Sequence, residues 1–456
     1  MADTTRLEPT RFLASQPGGT TAVTYSYTDM PWRLILSDAY YFFRYLWSLP
    51  YVLWPLVPAD SEELSELSPT KENLWCVGIH AVLIVLQSAF LLGLPFLVAV
   101  PVWVAGLVIT GVLLVNKGVA SLLNGEGVEY RSEEKYAPER PEHAGERWIY
   151  INGVSVGSHW MQMNLNRLAV TFKRPVIGIH NKTSGMIFDI LECLVQRNWG
   201  YATRDVRVGY RIIKQTLYDQ RYHKIIFILH SQGAIEGSLI LDWLLQELPQ
   251  DLLAKLEVYS FGNAANHFNN PHRCLAAQDQ TFGHPHSPSH SPSSPIRNHM
   301  PCQMHPSGRA ISHIEHYAHT LDFVALWGIL RFVMPTPITS PTESTPLNAQ
   351  KADLVTRPRF LGRVFIHPRP GHLLVQHYLD GMFPLQKDPV TGKLLRDENG
   401  VPVGLDESEG NKFMEGEVIV YDDDDELGGA DRRLKVKQLS RLWEYRNGRS
   451  PRDESS

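Results

Sequence analysis

Several features that mark other protein classes are scarce in this sequence of 456 residues. The four cysteines are scattered and include no C-x-x-C pair, which argues against a disulfide framework or a structural zinc site and favours reduced, intracellular thiols. Basic residues are not in excess, because 43 Lys and Arg stand against 48 Asp and Glu, so no nucleic-acid partner is predicted. The first 30 residues are polar and lack the apolar core of a cleavable secretory signal.

Charged residues are absent from Leu74 to Val115, a run about twice as long as the roughly 20 residues that one membrane-spanning helix needs. Pro95 and Pro101 lie near its middle, where proline favours a break because it removes a backbone donor. We therefore predict a helical hairpin over 74–117, either transmembrane or monotopic, since its turn has no polar residue. A buried helical core of a soluble protein is the alternative, but such helices usually carry a polar face.

The segments on either side of the hairpin favour a membrane surface. Residues 31–58 are rich in Trp, Tyr and Phe and are predicted to lie at the headgroup level. Residues 1–30 are expected to be disordered, and the acidic residues 59–73 to form a solvated connector. Basic residues after the hairpin favour a cytosolic C-terminal domain on an intracellular membrane, such as the endoplasmic reticulum or a lipid-droplet surface.

The pattern changes at about residue 147, where short apolar runs begin to alternate with helical patterns. Strands that alternate with helices predict an α/β fold with a mostly parallel sheet and helices on both faces. The near-continuous apolar run of residues 225–229 suits a strand that is covered on both sides. This domain is predicted to span 147–383.

Low-complexity sequence interrupts and follows this domain. Inserts at about 275–308 and 335–350 are rich in Pro, Ser and Thr and are predicted to be disordered. Histidines in the first insert have no nearby carboxylate or cysteine, so no metal site is predicted there. Residues 384–456 are predicted to be a C-terminal extension with a polar tail. Their acidic run at 421–426 lacks the glycine and final glutamate of a calcium loop, which favours a solvated surface.

The apolar run ends at Ser231 in the letters "IIFILHSQG". A sharp turn from a strand into a helix lifts a serine hydroxyl out of the sheet and points a helix N-terminus at it. Gly233 and Ala234 are small enough to allow this turn on the C-terminal side. Leu229 stands two residues before the serine, where the G-x-S-x-G pattern has glycine. The context predicts a nucleophile, and Leu229 is a departure from the usual motif.

A serine nucleophile needs a base, and the base needs a group that orients it. Downstream of Ser231, Asp322 follows a predicted strand and His372 lies between a Pro-Gly loop and a helix. This gives the order serine, acid, histidine, with Asp322 as the acid and His372 as the base. The alternatives are His377 and His367 for the base and Glu315 for the acid.

Acyl transfer also needs donors for the tetrahedral oxyanion. The backbone N–H of Gln232 is one candidate, and the N–H of Gly153 or Val154, in the turn after the first predicted strand of the domain, is the other. Asn152 is a further candidate, through its side chain, unless it only adopts the turn conformation. His180 and Asn181, in a loop at the same edge of the predicted sheet, either shape the pocket or cap the segment that follows them.

The segment from about Arg147 to Leu379 resembles the α/β-hydrolase superfamily on its lipase and esterase side. The resemblance rests on "LHSQG", on "VYSFGNAANHF" after the nucleophile helix and on the acid-bearing "HTLDFVAL". Taken with "HNKTSG", "GHLLVQHYL" and "SRLWEYRNG", these motifs are similar to an uncharacterised fungal-type group of membrane-associated hydrolase-like proteins. The resemblance implies serine-hydrolase chemistry but no particular substrate.

These observations predict a membrane-anchored serine hydrolase that cleaves a carboxylic ester of a lipid or an acylated molecule. Ser231, His372 and Asp322 would form the triad, and neither a metal nor an organic cofactor is required. The alternative is a hydrolase-like fold without activity that serves as a membrane scaffold or interaction module. Acyl transfer or peptide cleavage by the same triad is a third reading.

Overall fold

A computed structural model describes residues 9–13, 29–56, 60–271, 309–333, 360–405, 411, 413–421 and 434–451. Both predicted disordered inserts, 275–308 and 335–350, lie outside the described residues. So do most of residues 1–30, the acidic run after Tyr421 and the last five residues of the polar tail.

The described strands form one mixed, mostly parallel sheet in the order β2-β4-β3-β5-β6-β7-β8-β1-β9. From β4 to β8 all neighbours are parallel, whereas β2 and β1 pair antiparallel with β4 and β8 at the two sides of this block. The strands are β1 (Thr10–Leu13), β2 (Glu129–Arg131), β3 (Glu146–Ile151), β4 (Val176–Ile179), β5 (Lys224–His230), β6 (Leu256–Phe261), β7 (His313–His319), β8 (Arg363–His367) and β9 (Val418–Tyr421).

Helices connect β3 to β4, β4 to β5, β5 to β6 and β7 to β8, which confirms the predicted α/β class. The longer helices are α1 (Pro31–Tyr45), α2 (Lys71–Gly93), α3 (Val102–Ser121), α4 (Ser158–Phe172), α5 (Met186–Trp199), α6 (Arg204–Tyr218) and α7 (Gln232–Glu247), and the four-residue α8 (Gln250–Leu253) follows them. Short α-helical turns occupy Phe323–Trp327, Ile329–Val333, Asp380–Met382, Val436–Leu439 and Arg441–Glu444. Further helical turns, of 3-10 type except for the π-helix Leu374–Leu379, are Leu46–Val52, Glu62–Leu64, Leu94–Ala99, Pro141–His143, Leu374–Leu379 and Arg446–Gly448.

The central strand β5 shows why these runs form a covered sheet. Side chains alternate between the two faces of a strand, and here both faces are apolar. Ile226 and Ile228 join one buried cluster, whereas Ile225, Phe227 and Leu229 join the cluster on the other face. The centre of the sheet is therefore closed off from water on both faces. A reactive side chain that a substrate can reach is then expected at the ends of the strands.

The sheet extends further along the chain than the predicted domain of 147–383. Thr10–Leu13 pairs with both β8 and β9, so this part of the predicted disordered N-terminus is ordered. The ring centroids of Phe12 and Phe365 are 5.0 Å apart, and Thr10 Oγ1 lies 3.0 Å from His367 Nδ1. Four residues are too few to show a period in the sequence. The partners of this strand also lie hundreds of residues away, so local sequence does not indicate the pairing.

The predicted C-terminal extension also belongs to the domain. Strand β9 closes one edge of the sheet, and Trp443 and Tyr445 are buried in the core. Arg441 Nη2 donates a hydrogen bond to Glu257 Oε1 at the start of β6, at 2.9 Å. The boundary expected at residue 383 therefore divides one packed unit.

The apolar N-terminal run forms two helices, α2 and α3, joined by the 3-10 turn Leu94–Ala99. Pro95 lies inside this turn, and Pro101 precedes α3, so the prolines mark the break as predicted. The segments Lys71–Ala99 and Val102–Ser121 are each long and apolar enough to cross a membrane, by length and composition alone. Only 11% and 6% of their most apolar windows are buried in the protein, unlike the core helices of a soluble domain.

The acidic connector differs from its prediction. Ser61, Leu64 and Glu66 are buried, not solvated. The Glu66 carboxylate accepts the backbone N–H groups of Val375 and Gln376, at 2.9 and 3.2 Å. Burial raises the pKa of Glu66 to about 7. A run of acidic residues usually indicates a solvated segment. Here the segment around Val375, far along the chain, packs over the acidic residues and buries part of them.

Helix α1 docks on the domain through a buried charge cluster. Asp38 accepts hydrogen bonds from Arg197 Nε at 3.0 Å, from Arg331 Nη1 at 2.6 Å and from Asn198 Nδ2 at 2.7 Å. The Trp327 indole N–H donates to the Asp38 carbonyl at 3.1 Å. The aromatic segment is thus fixed to α5 and to the short helices that follow β7.

We expect Asp38→Ala to lower the free energy of unfolding by about 3–5 kcal/mol, because it leaves the Arg197 charge buried without its partner. Arg33→Ala, on the same helix, removes an exposed ion pair with Asp29 and a contact of the guanidinium with the Trp32 ring, and should cost less than about 2 kcal/mol. Urea unfolding of both variants in the same detergent measures the difference. Equal losses would show that the Asp38 cluster does not hold α1 in place.

Candidate active site

Ser231 lies in a strained turn between β5 and α7. Its backbone has φ 56° and ψ −122°, a conformation that residues with side chains rarely adopt. Its N–H donates to the Phe261 carbonyl at 3.1 Å, and its carbonyl accepts the N–H groups of Ala234 and Ala264 at 3.0 and 3.3 Å. Three backbone hydrogen bonds hold the turn, which lifts the side chain off the end of the sheet.

Two glycines let the backbone come close to this turn. A Cβ atom at Gly233 would lie 2.5 Å from the Ile151 carbonyl oxygen and 2.7 Å from that of Asn152. A Cβ atom at Gly153 would overlap the Ser231 Cβ atom and lie 3.0 Å from its Oγ. Any larger residue at either position would push the β3 loop away from the serine.

Leu229, the departure from the usual motif, has space of its own. Its side chain is fully buried in the core cluster between β5 and α7. Gly237, six residues after Ser231 on α7, faces Leu229. A Cβ atom at Gly237 would overlap Leu229 Cδ1 and lie 2.8 Å from Leu229 Cδ2. A glycine in the helix thus accommodates the leucine in the strand, and the turn keeps its geometry.

The sequence-predicted residues Ser231, His372 and Asp322 form one chain of hydrogen bonds. His372 Nε2 lies 2.9 Å from Ser231 Oγ, and His372 Nδ1 lies 2.9 Å from Asp322 Oδ2. All three residues are buried, with Ser231 only 2% exposed. A carboxylate that holds Nδ1–H leaves Nε2 free to accept the serine proton, which is the arrangement that activates a hydroxyl.

Asp322 is held on both carboxylate oxygens. Oδ1 accepts the N–H of Val324 at 2.8 Å as the cap of the helix Phe323–Trp327, and Oδ2 accepts the Tyr378 hydroxyl at 2.8 Å. Burial raises the pKa of Asp322, but the charge of His372 and the hydrogen bonds from His372 and Tyr378 outweigh burial and hold the pKa below its usual value. Asp322 is therefore ionised at neutral pH. Sequence reasoning missed Tyr378, which no motif marks.

His230 supports the base from the serine side. Its Nε2–H donates to the His372 carbonyl at 2.8 Å, and the two imidazole rings are stacked with centroids 4.8 Å apart. Burial, together with the neighbouring His372, lowers the pKa of His230 to about 3, so this ring stays neutral. Gly262 completes the enclosure, since a Cβ atom there would lie 2.7 Å from His372 Nδ1.

The alternative histidines are engaged elsewhere. His377 Nδ1 accepts the Leu373 N–H at 3.0 Å, and its Nε2 lies 3.4 Å from the Pro55 carbonyl. Burial lowers its pKa to about 4. His367 is hydrogen-bonded to Thr10, and burial lowers the pKa of His367 to about 2. Neither alternative has a contact with Ser231 among the described residues.

The alternative acid, Glu315, serves the packing of the C-terminal segment. Its carboxylate accepts the Tyr317 hydroxyl at 2.5 Å and the N–H groups of Arg441 and Leu442 at 2.8 and 3.3 Å. It belongs to the middle of β7, whereas Asp322 follows the carboxyl end of that strand. Position along the strand thus separates the two acids.

The residues predicted to bind an oxyanion are brought to the serine in part. Gln232 is the first residue of α7, whose leading N–H groups have no partner within the helix. Gly153 is in close contact with Ser231, as described above, and Val154 packs its side chain against the core. The loop is fixed because the Gln232 side chain accepts from Asn181 Nδ2 at 2.8 Å, and Asn181 N–H donates to Asn152 Oδ1 at 2.9 Å.

The N-terminal aromatic segment packs on both loops that carry the triad. The Val52 carbonyl accepts the His372 N–H at 3.2 Å, and the Pro55 carbonyl accepts Gln376 Nε2 at 2.8 Å. On the acid side, Phe42 meets Phe323 edge to face with ring centroids 5.2 Å apart. No sequence signal predicts these contacts.

Comparison of the chain with protein-family models, with curated proteins and with solved structures finds no match in any of the three. Within the described ranges, no group of three or more His, Cys, Asp or Glu side chains is placed to hold a metal ion.

The fit of Leu229 against Gly237 can be measured by a double-mutant cycle. Gly237→Ala should cost about 1–3 kcal/mol of unfolding free energy through overpacking, and Leu229→Ala about 2–5 kcal/mol through a cavity. In the double variant the new methyl group occupies part of that cavity, so the total loss should be at least about 1 kcal/mol smaller than the sum. Additive losses in urea unfolding would show that the two positions do not share space.

Proposed function

We propose that this protein is a membrane-anchored serine hydrolase that cleaves a carboxylic ester of a lipid or an acylated molecule. The observation that carries the proposal is the unbroken chain of hydrogen bonds from Ser231 through His372 to Asp322. The strained turn beneath the serine and the ionised state of Asp322 support it, because both are features that nucleophilic catalysis uses.

The geometry suggests the following sequence of steps. His372 Nε2 takes the proton of Ser231 Oγ as that oxygen attacks the ester carbonyl, and Asp322 stabilises the imidazolium that forms. His372 then gives the proton to the departing alcohol oxygen, which leaves an acyl group on Ser231. A water molecule, deprotonated by the same nitrogen, releases the carboxylic acid and restores the serine.

The oxyanion of the tetrahedral intermediate would be bound at the start of α7. The Gln232 N–H is the first donor of this proposal, and the N–H of Gly153 or Val154 is the second. Two observations support this. Gly153 comes close to Ser231 Oγ, and hydrogen bonds through Asn181 and Asn152 connect the Gln232 side chain to the loop that follows β3. Donors held before the reaction starts need no rearrangement as charge develops.

The order of functional residues along the sheet favours an α/β-hydrolase-like architecture. Ser231 follows β5, Asp322 follows β7 and His372 follows β8, and these three parallel strands present their carboxyl ends at the same edge. Ligand sites in open α/β sheets form at this edge.

A lipid substrate is favoured by what surrounds the triad. The apolar helices α2 and α3 would hold the enzyme at a membrane, with the domain on the cytosolic side. The aromatic segment, whose Trp47 and Trp54 are exposed, contacts the loop of His372 directly. An enzyme kept at the surface where lipid esters accumulate meets them at high local concentration.

Labelling with a fluorophosphonate, which reacts with activated serines, tests the proposal. Ser231→Ala should abolish labelling, and His372→Gln should slow it by about 10²–10⁴-fold. Ser238→Ala is the matched serine control, since Ser238 is buried on α7 and its hydroxyl donates to the Ile235 carbonyl at 2.8 Å, within the same helix. It should label like the parent.

His377→Asn tests the assignment of the base, because asparagine keeps an acceptor near the Leu373 N–H. This variant should also label, whereas loss of labelling here with retention in His372→Gln would make His377 the base. A folded parent protein that does not label at all would indicate the alternative function, an inactive hydrolase-like membrane scaffold.

Tyr378→Phe should slow labelling about ten- to a hundredfold, because a hydrogen bond to a charged group contributes about 1.5–3 kcal/mol. Tyr445→Phe removes an equally buried hydroxyl that donates to Glu257 at 2.9 Å, away from the triad, and should leave the labelling rate unchanged. Equal rates for the two variants would mean that Tyr378 does not help to position Asp322.

A further inference from the structure

The apolar hairpin is not free along its whole length, because the first two-thirds of α2 lie against the domain. The buried residues of α2 recur every three or four positions and therefore share one face; they are Asn73, Cys76, Ile79, His80, Leu83 and Gln87. Asn73 Oδ1 accepts the Trp160 indole N–H at 2.8 Å, and the His80 ring is stacked on Trp160 at 5.4 Å. Gln87 is the last buried residue of α2, and one turn beyond it Phe90 still meets Phe188 of α5 edge to face, with ring centroids 6.0 Å apart.

A buried polar cluster marks the level at which both helices leave. This cluster, the polar collar, consists of Gln87, Asn116 and the Ser184 carbonyl. Gln87 Nε2 donates to Asn116 Oδ1 at 2.8 Å, and both side chains donate to the Ser184 carbonyl, at 2.6 and 2.9 Å. Gln87 Oε1 accepts the Ile187 N–H at the start of α5, at 3.1 Å.

Beyond the polar collar the character of the hairpin changes. Residues 88–115 contain no Asp, Glu, Lys or Arg, and none of them is buried in the protein. Exposure is greatest near the tip, where Val98 is 90% exposed. The next residue after the collar on α3 is Lys117, which is exposed. On α3 the boundary between the charge-free zone and a charged one therefore coincides with the collar, whereas on α2 the charge-free run begins earlier, at Leu74, in the part that is packed on the domain.

The length of the free part decides how deep it reaches. Residues 102–115 of α3 span roughly 21 Å at 1.5 Å per residue. The other limb, residues 88–93 and the 3-10 turn Leu94–Ala99, spans about the same length, since a 3-10 helix rises about 2.0 Å per residue. The hydrocarbon core of a bilayer is about 30 Å thick. With both headgroup regions the bilayer is about 40–45 Å thick, so one leaflet is about 20–22 Å deep. A free hairpin whose base lies at the headgroup level therefore reaches about the midplane and falls well short of the far side.

Part of the turn's backbone satisfies its own polar groups. The backbone of an irregular segment in hydrocarbon must satisfy its own polar groups. Pro95 and Pro101 have no N–H to satisfy, the Leu94 N–H donates to the Phe90 carbonyl, and the Val100 N–H donates to the Leu97 carbonyl at 3.3 Å. The Pro101 carbonyl accepts the Val104 N–H at 2.9 Å.

We infer that residues 88–115 form a re-entrant hairpin that inserts into a single phospholipid leaflet, the one that faces the domain, with the polar collar at the headgroup level. Full crossing would draw Gln87 and Asn116, with the loop around Ser184, into hydrocarbon. Because one leaflet is sufficient, the same hairpin binds a phospholipid monolayer over oil. The inference concerns the membrane partner and holds whether or not Ser231 is a nucleophile.

The test uses the full chain and two lipid surfaces: phosphatidylcholine vesicles, and triolein droplets coated with a phosphatidylcholine monolayer. We expect binding to both by flotation, with similar affinity. Val98→Lys places a charge at the tip and should weaken binding to both surfaces by roughly 100-fold. Val390→Lys is the matched control, since Val390 is 91% exposed but lies in the C-terminal part of the chain, and it should bind like the parent.

A second measurement reports where the tip lies. In sealed vesicles, Val98→Cys should add no labelling over the parent by a membrane-impermeant maleimide on either side, and should add it after detergent. Leu122→Cys, on the domain side of the polar collar and 57% exposed, should add labelling from the outside.

Three results would overturn the inference. Binding to vesicles but not to droplets, or labelling of Val98→Cys from the vesicle interior, would show a transmembrane hairpin. Binding that is unaffected by Val98→Lys would show that the hairpin tip is not the lipid contact. Circular dichroism of each variant in detergent separates these results from misfolding, and fluorophosphonate labelling of the parent reports on the proposed function independently.

Discussion

The strained backbone at Ser231 is the constraint on which the candidate site depends. A residue with φ near +56° holds that conformation only when its surroundings leave no alternative. Here the alternatives are removed by the Phe261 carbonyl, by Ala264 and by the close approach of Gly153 and Gly233. These contacts come from three neighbouring parallel strands, so the position of one hydroxyl depends on the register of the central sheet.

Sequence reasoning found the parts of this site that follow from order along the chain. Ser231 ends an apolar run, and Asp322 and His372 each follow a strand, so their types and positions were predictable. Tyr378 and the pairing of Leu229 with Gly237 were not, because each depends on which side chains face each other after folding. In the sequence, Leu229 departs from the usual motif, which has a glycine at this position. In the fold, Gly237 has no side chain and therefore leaves the space that Leu229 occupies.

The same distinction applies to the fold. The α/β class, the paired apolar helices and the proline break were predictable, because periodicity and composition determine them locally. Strand β1, the burial of Glu66 and the C-terminal edge strand were not. Their partners lie far along the chain, and the four residues of β1 are too few for a period to be recognised. Long-range pairing is therefore where local patterns stop being informative.

If residues 88–115 insert into lipid as proposed, the docking of the hairpin on the domain fixes the orientation of the domain, so the hairpin does not act as a loose tether. Helix α2 is packed on the domain from Asn73 to Gln87, and α5 joins the polar collar to the Asp38 cluster of α1. From α1 the chain continues into the 3-10 helix Leu46–Val52, which exposes Trp47 on one side and binds the His372 N–H through Val52 on the other. A single layer of backbone thus separates an apolar, aromatic surface from the base of the candidate triad. Ser231 and His372 are themselves almost wholly enclosed, at 2% and 5% exposure, so the candidate nucleophile and its base lie behind packed protein and not at the open surface.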